Sequence, residues 1–216
     1  MKKKILCLFT SLLLCVVLLT GCKDRDFEKV LSIYDNIDSF SLGGYEQTIT
    51  IKQGAFEYVS YTKSVECNGE SYKITETNIV QNEIGAESQT TSTIDVYYID
   101  NGYLIKEVEG ALTKTEQAEF SFEEKYNLVK DNFIDYSIVK EEEKMTFSAH
   151  VKEEKFSSFV NTALTDISDM LITINISNEK IVDMELEYHK KNGAEVTILT
   201  TIKTSYSNFA VPAYQD

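Results

Sequence analysis

Side chains able to carry out chemistry are few in this chain and stand far apart. The sequence has two histidines, His150 and His189, and no His-x-x-x-His or Glu-x-x-His motif for a metal ion. It also lacks the Gly-x-Ser-x-Gly motif that would present a hydrolase nucleophile. Acidic pairs such as Glu153-Glu154 are typical of solvated turns and helix starts. We therefore predict no catalytic residue, no metal site, no cofactor and no enzymatic activity.

Cys22 differs from the other cysteines because it closes a distinctive N-terminal segment. Three lysines, Lys2–Lys4, precede the apolar run Ile5–Leu19, and the segment ends in Leu19-Thr20-Gly21-Cys22. This ending resembles the lipobox of bacterial lipoprotein signal peptides. The resemblance implies a signal peptide over residues 1–21 and a diacylglyceryl group on the sulfur of Cys22. With about fifteen residues, the apolar run is shorter than the ~20 that span a bilayer as a helix.

The remaining cysteines do not support a disulfide framework. Cys7 and Cys15 belong to the predicted signal peptide, so Cys67 alone would accompany Cys22 in the mature chain. One thiol cannot form an internal disulfide, and the neighbouring Glu66 and Glu70 have the wrong sign to activate it. We expect Cys67 to be a buried structural residue.

The charge of the chain is strongly negative and excludes one large class of partners. The sequence has 21 Lys and Arg against 35 Asp and Glu. Loss of Lys2–Lys4 with the signal peptide leaves 18 against 35, a net charge of −17. Phosphate backbones repel such a chain, so we expect no nucleic-acid binding. Anionic lipid headgroups repel it too, so contact with the membrane would depend on the lipid on Cys22.

Apolar spacing predicts three helices. The first helix begins soon after Cys22 and ends at Phe40, with one apolar face formed by Phe27, Val30, Leu31, Tyr34 and Ile37. The second helix begins at the capping box Ser121-Phe122-Glu123-Glu124 and has Phe122, Tyr126, Val129 and Phe133 on its apolar face. The third helix is predicted over Glu153–Thr165.

Elsewhere the apolar residues alternate with a period of two, which predicts about eight to ten strands. Asn68-Gly69, Asn101-Gly102 and Asn192-Gly193 are hairpin signals because Asn and Gly tolerate positive φ. Strands that follow one another through tight turns pair as antiparallel neighbours. The predicted fold class is therefore α+β, one domain over residues 22–216 in which a large curved antiparallel sheet carries an N-terminal helix and a helical insertion.

The order of these elements resembles that of the LolA-like lipoprotein-carrier superfamily, which includes the LppX- and LprG-type lipoproteins. The resemblance covers most of residues 24–212 and includes the tail Tyr206-Ser207-Asn208-Phe209-Ala210-Val211-Pro212. It implies an unclosed half-barrel whose concave face, partly filled by helices, binds lipid or acyl chains. On that face we expect the alternating apolar residues of the last strands to line the ligand: Val182, Met184, Leu186, Tyr188, Val196, Ile198 and Ile202.

Two functions of different classes follow from this layout. The first is a monomeric lipoprotein on the outer face of the cytoplasmic membrane, anchored through Cys22, that binds a lipid or acyl chain without catalysis. The second is an envelope module of the same fold that binds or senses a partner protein and carries no lipid. A continuous apolar cavity would favour the first, and a filled core with an exposed apolar patch or an open sheet edge would favour the second.

Overall fold

Alternating apolar and polar side chains build eleven β-strands in the part of the chain that the structure describes. The computed structural model describes residues 24–37, 43–54, 56–84, 87–108, 111–116, 122 and 125–213. Cys22, the predicted signal peptide, Phe40 and most of the predicted capping box lie outside these residues. The strands are β1 (Gly44–Gln53), β2 (Phe56–Cys67), β3 (Tyr72–Ile84), β4 (Glu87–Asp100), β5 (Tyr103–Val108), β6 (Ala111–Glu116), β7 (Phe133–Glu141), β8 (Lys144–Val151), β9 (Ile167–Ser177), β10 (Lys180–Lys190) and β11 (Ala194–Lys203).

All eleven strands belong to one antiparallel sheet, in the order β6-β5-β4-β3-β2-β1-β11-β10-β9-β8-β7. The chain runs from the centre of the sheet to one edge as β1–β6, then restarts at the other edge and returns to the centre as β7–β11. The pairing of β1 with β11 joins these two meanders. Strands β6 and β7 form the two edges, so the described strands make the large antiparallel sheet that the sequence predicts and the unclosed half-barrel that the resemblance implies.

Tight turns join most of these strands, and several lie where the sequence predicts them. Asn101 and Gly102 both have positive φ, 49° and 78°, and connect β4 to β5. Gly69 (φ 98°) lies between β2 and β3, and Gly193 (φ 86°) lies between β10 and β11. The three predicted hairpins are therefore confirmed. Their turns form at these positions because Asn and Gly adopt the left-handed region of φ and ψ at low energetic cost.

The N-terminal helix is confirmed, and it packs on the concave face of the sheet. Residues 24–35 are helical, and we call this helix α1. Its apolar face carries Phe27, whose ring contacts Phe133, Tyr136 and Phe147 at centroid distances of 6.3, 5.1 and 5.8 Å. Val30 is buried in the same core. The helix therefore covers the end of the sheet formed by β7 and β8.

The second predicted helix is wrong, and the topology explains why. The sixteen residues from 117 to 132 must connect one edge of the sheet to the other, a path of up to ~48 Å along ten strand spacings. A helix of that length rises only ~24 Å, whereas an extended chain reaches about 53 Å. Accordingly, residues 125–129 have no regular structure, Lys130–Asn132 form one 3-10 turn, and Phe133 begins β7.

The third predicted helix is present but much shorter than expected. A 3-10 turn over Glu153–Lys155 leads into α2 (Phe156–Phe159), and the helix ends there instead of continuing to Thr165. Asn161 follows with φ 53°, which a continuing helix does not allow. Phe156 and Phe159 are both buried, so this short insertion attaches to the core by two aromatic rings.

Candidate functional site

An apolar cleft lies on the concave face, between the sheet and the segments that cover it. Its volume is about 260 Å³. The floor is formed by side chains of three adjacent strands, β1, β11 and β10, and the roof by residues from the β6–β7 connection and from the segment after α2. The lining residues are Gln47, Lys125, Tyr126, Val160, Thr162, Leu164, Leu186, Tyr188 and Ile198.

Strand register brings the floor of the cleft together. Leu186 of β10 lies directly opposite Ile198 of β11, and Ile198 lies opposite Ile49 of β1. Tyr188 follows Leu186 by two residues and therefore faces the same side of the sheet. Leu186 is fully buried, whereas Tyr188 and Ile198 are partly exposed to the cleft. The floor is thus apolar over β10 and β11, and Gln47 adds an amide from β1.

Aromatic stacking and backbone hydrogen bonds hold the roof. The ring of Tyr126 stacks on Phe159 with a centroid distance of 5.6 Å and an interplanar angle of 6°. The N–H of Asn127 donates to the carbonyl oxygen of Phe159 at 2.8 Å, and the N–H of Tyr126 donates to the hydroxyl oxygen of Tyr34 in α1. These contacts link the β6–β7 connection to both α1 and α2. The roof is therefore packed as part of the core.

Polar groups occur at one side of the cleft. Gln47 donates through Nε2 to the hydroxyl oxygen of Thr200 at 3.2 Å, and Lys125 adds an ammonium group to the lining. Burial raises the pKa of the Tyr188 phenol above its usual range. Tyr188 therefore stays protonated at neutral pH and presents a hydrogen-bond donor within an apolar lining.

A row of polar side chains crosses the concave face at the level of Gln47. The register places Thr200, Gln47, Lys63, Glu76 and Asp95 in one row across five neighbouring strands, from β11 to β4. On the other side, the same face is apolar over β8, β9 and β10. The cleft therefore borders a polar row on a face that also carries the buried apolar residues Tyr45, Val65 and Ile74.

The structure brings three of the seven predicted lining residues together at this cleft: Leu186, Tyr188 and Ile198. Met184 and Val196 lie on the same face but are buried, with 0% and 2% of their surface exposed. Alternation along a strand identifies the face on which a residue lies. It does not identify which part of that face is covered.

Two further predicted lining residues lie away from the cleft. The register of β10 shifts between Ile181 and Asp183, and this β-bulge turns Ile181 into the core and leaves Val182 41% exposed. The expectation that Val182 shares a face with the residues that follow it is therefore wrong. Ile202 faces the core opposite Tyr45, four residues and about 13 Å along β11 from Ile198.

The roof residues were not predicted as part of a site, although their apolar character was visible. The second predicted helix has Tyr126 on its apolar face, and the third has Val160 and Leu164. This pattern indicates burial but not a cavity. Gln47 shares one face of β1 with the apolar residues Tyr45 and Ile49, and an isolated amide on the buried face of a strand is the signal that could have identified it.

A larger cleft of about 450 Å³ beside α1 has a charged lining. Lys29 of α1 pairs with Glu179 at 2.8 Å across it, and this pairing lowers the pKa of the Glu179 carboxyl. Lys140, Glu142 and Glu143 complete much of its wall. An apolar ligand would have to desolvate these charges, so the smaller apolar cleft is the better candidate for a hydrophobic ligand.

The histidines and Cys67 have ordinary structural partners. His150 Nδ1 lies 3.1 Å from Asp135, and His189 Nε2 lies 3.3 Å from Glu187. Cys67 is buried, and its sulfur accepts a hydrogen bond from the N–H of Gly69 at 3.2 Å. Among the residues that the structure describes, no three His, Cys, Asp or Glu side chains lie close enough together to hold a metal ion.

Helices 24–35 and Phe156–Phe159 are both short. Within the described ranges, no helix combines the length and the apolar character needed to cross a membrane.

Comparisons with known proteins find similarity among solved structures alone. No protein-family model matches the chain, and no curated protein matches it. Among solved structures, LprF from Mycobacterium bovis is similar at 11% sequence identity, with 84% of this chain and 95% of that chain covered and a TM-score of 0.34. The half-barrel described above stands on its own strand pairing, independently of this similarity.

Proposed function

We propose that this protein is a non-catalytic lipoprotein of the cell envelope that binds a hydrophobic ligand in the apolar cleft. Residues 1–21 serve as its signal peptide, and a lipid on Cys22 anchors residues 22–216 to the outer face of the cytoplasmic membrane. The observation that carries the ligand proposal is the cleft of about 260 Å³ floored by Leu186 and Ile198.

The volume of the cleft limits the size of the ligand. Pockets for drug-sized molecules occupy ~300–1,000 Å³, and an apolar cavity of ~150 Å³ already binds benzene. At about 260 Å³, the cleft accommodates part of one acyl chain or a comparable apolar group. A ligand with several acyl chains would leave most of its apolar surface outside.

The polar groups of the lining favour an amphipathic ligand. Lys125 supplies a positive charge, and the protonated phenol of Tyr188 supplies a hydrogen-bond donor. Both groups suit an anionic or hydroxylated end attached to the apolar chain. We therefore propose a single-chain amphiphile, such as a fatty acid, as the ligand class.

A pair of neighbouring substitutions in β11 tests the cleft. Ile198→Arg places a charge on the floor, whereas Leu199→Arg places the same charge on the outer face of the same strand. Both variants, made as secreted chains beginning at Lys23, are titrated with dansyl-labelled undecanoic acid, and circular dichroism confirms folding. We expect Ile198→Arg to weaken binding at least ~tenfold, about 1.4 kcal/mol, and Leu199→Arg to leave it nearly unchanged.

Two results would contradict ligand binding in the cleft. Equal affinities of both variants and the parent protein would exclude this site, and no binding by a folded parent protein would remove the ligand proposal itself. Native mass spectrometry of the protein secreted by a bacterial host is the independent measurement. It should show a bound molecule that organic extraction releases and that Ile198→Arg lacks.

The anchor is tested separately, by Cys22→Ala in the full chain. In a bacterial host fed labelled palmitate, the parent chain should acquire the label and lose its signal peptide, and the variant should do neither. A parent chain that stays unlabelled would refute lipidation at Cys22 without bearing on the cleft.

A protein-binding module is the second candidate, and one observation favours it. Ile94 and Val96 of β4 are both exposed, and they lie on the face of the sheet opposite the concave face. Exposed apolar neighbours on one strand are typical of a partner surface. If no ligand is found in the cleft, in-cell cross-linking from position 94 should capture an envelope protein. An absence of specific products would exclude this surface.

A further inference from the structure

The start of α1 lies at the outer edge of the sheet, beside β7. Asp24 pairs with Lys130 and accepts a hydrogen bond from the hydroxyl group of Tyr136 at 3.4 Å. Two residues farther along the helix, Asp26 pairs with Lys140 of β7. These contacts, together with the buried ring of Phe27, hold the first turn of the helix against β7.

Cys22 precedes Asp24 by only two residues, so its distance from β7 is tightly bounded. Two extended residues reach at most ~7 Å. Any group attached to the sulfur of Cys22 therefore starts within a short distance of the β7 strand, whatever conformation residues 22 and 23 adopt. A bilayer that holds a lipidated Cys22 must approach the protein from this side.

Three exposed apolar side chains lie on β7 and on the segment that leads into it. Val129, Ile134 and Val139 are all exposed, and together they form what we call the β7 edge. Ile134 is exposed because the register of β7 shifts between Phe133 and Asp135, which turns the intervening side chain outward. Single exposed apolar residues are common, but two on the strand beside the anchor and a third four residues before that strand are a surface that an apolar phase would cover.

We propose that the β7 edge lies against the lipid bilayer, with Val129, Ile134 and Val139 at the boundary between headgroups and acyl chains. This orientation rests on the proposed lipidation of Cys22. Asp131 and Asp135 are exposed along the same edge, so the contact is shallow and suits a zwitterionic surface better than an anionic one.

The absence of tryptophan from the sequence makes the orientation directly measurable. Ile134→Trp introduces a single fluorophore at the β7 edge, and Ile94→Trp introduces one at an equally exposed isoleucine, with exposures of 69% and 65%. Ile94 lies on β4, eight strand spacings from β7 in the sheet order, about 38 Å along the sheet. The two variants therefore differ in location and hardly in solvent exposure.

The full chain carrying either substitution is produced in a bacterial host and reconstituted into phosphatidylcholine vesicles with brominated acyl chains, which quench nearby tryptophan. Intact-mass analysis first establishes that Cys22 carries lipid. For Ile134→Trp we expect a blue-shifted spectrum and at least ~twofold quenching, as for side chains 5–10 Å into the interface, and for Ile94→Trp no quenching. Val139→Trp repeats the measurement should Ile134→Trp misfold.

The outcomes separate the orientation from the anchor. A chain without lipid refutes the anchor on which the orientation rests. A lipidated chain in which the two tryptophans are quenched equally, or in which only position 94 is quenched, overturns the proposed orientation while leaving the anchor intact. A lipidated chain with neither tryptophan quenched also overturns it, because the β7 edge would then be held away from the bilayer.

Discussion

Phe159 links the stability of the protein to the shape of its cleft, and Phe159→Ala measures that link. The side chain is fully buried, stacks on Tyr126 at 5.6 Å and meets the edge of Phe133 at 5.8 Å. Removing a buried phenyl ring costs about 3–5 kcal/mol, since the apolar contacts are lost and a cavity remains. That is a large share of the ~5–15 kcal/mol by which a domain is stable.

Urea unfolding followed by far-UV circular dichroism measures this cost. With a denaturant dependence of ~2.5 kcal/mol per molar urea, a loss of about 4 kcal/mol lowers the midpoint by ~1.6 M. Phe56→Ala is the control, because the same substitution at a side chain that is 68% exposed should change stability by less than ~0.5 kcal/mol.

A double-mutant cycle isolates the stacked pair. Phe159→Ala combined with Tyr126→Leu should reveal a coupling of about 0.5–1.5 kcal/mol, the usual value for an aromatic pair beyond its buried area. Because Tyr126 forms part of the roof, Phe159→Ala should also weaken ligand binding. A midpoint within ~0.3 M of the Phe56→Ala value would show that the roof is not held by this ring and would refute the reasoning.

Three further predictions concern single positions. Gly44→Ala should prevent folding to a soluble product, because φ is +125° and the added Cβ would lie 1.9 Å from a backbone carbonyl oxygen of β2; Gly69→Ala, with open space around it, should cost only ~1 kcal/mol in urea unfolding. Stability should be retained below the ordinary tyrosine pKa of about 10 and fall as pH rises above it, because burial raises the pKa of Tyr188 in the folded protein; Tyr188→Phe should reduce this fall. Lys29→Ala should raise the pKa of Glu179 toward its ordinary value, which carboxyl NMR titration would detect.

Local sequence patterns were sufficient to predict those strands, turns and helices whose conformation depends on residues close together in the chain. In β9, the alternation of Ile172, Ile174 and Ile176 predicts one buried face. The pattern is readable from the strand alone, because every second side chain of a strand points to the same face. The Asn101-Gly102 turn is readable for a similar reason, since it needs two residues that tolerate positive φ. In α1, apolar residues recur at helical spacing and the helix ends within a few residues of Gly43.

Nonlocal geometry accounts for the predictions that were wrong. Phe122, Tyr126, Val129 and Phe133 have helical spacing, yet residues 125–129 have no regular structure and Phe133 begins β7, because the connection must reach the far edge of the sheet. The bulge that exposes Val182 also depends on the pairing with β9, which alternation in β10 does not reveal.

Residue order along the chain thus establishes the strands, their turns, the first helix and the acidic charge, because each depends on side chains close together in sequence. The position of the cleft depends on contacts between distant segments. Ile198 pairs with Ile49 across 149 residues, and the roof over them comes from a third part of the chain. These distant residues come together only when the meanders β1–β6 and β7–β11 pair through β1 and β11. Burial of the apolar face that the two meanders share requires both of them to be folded.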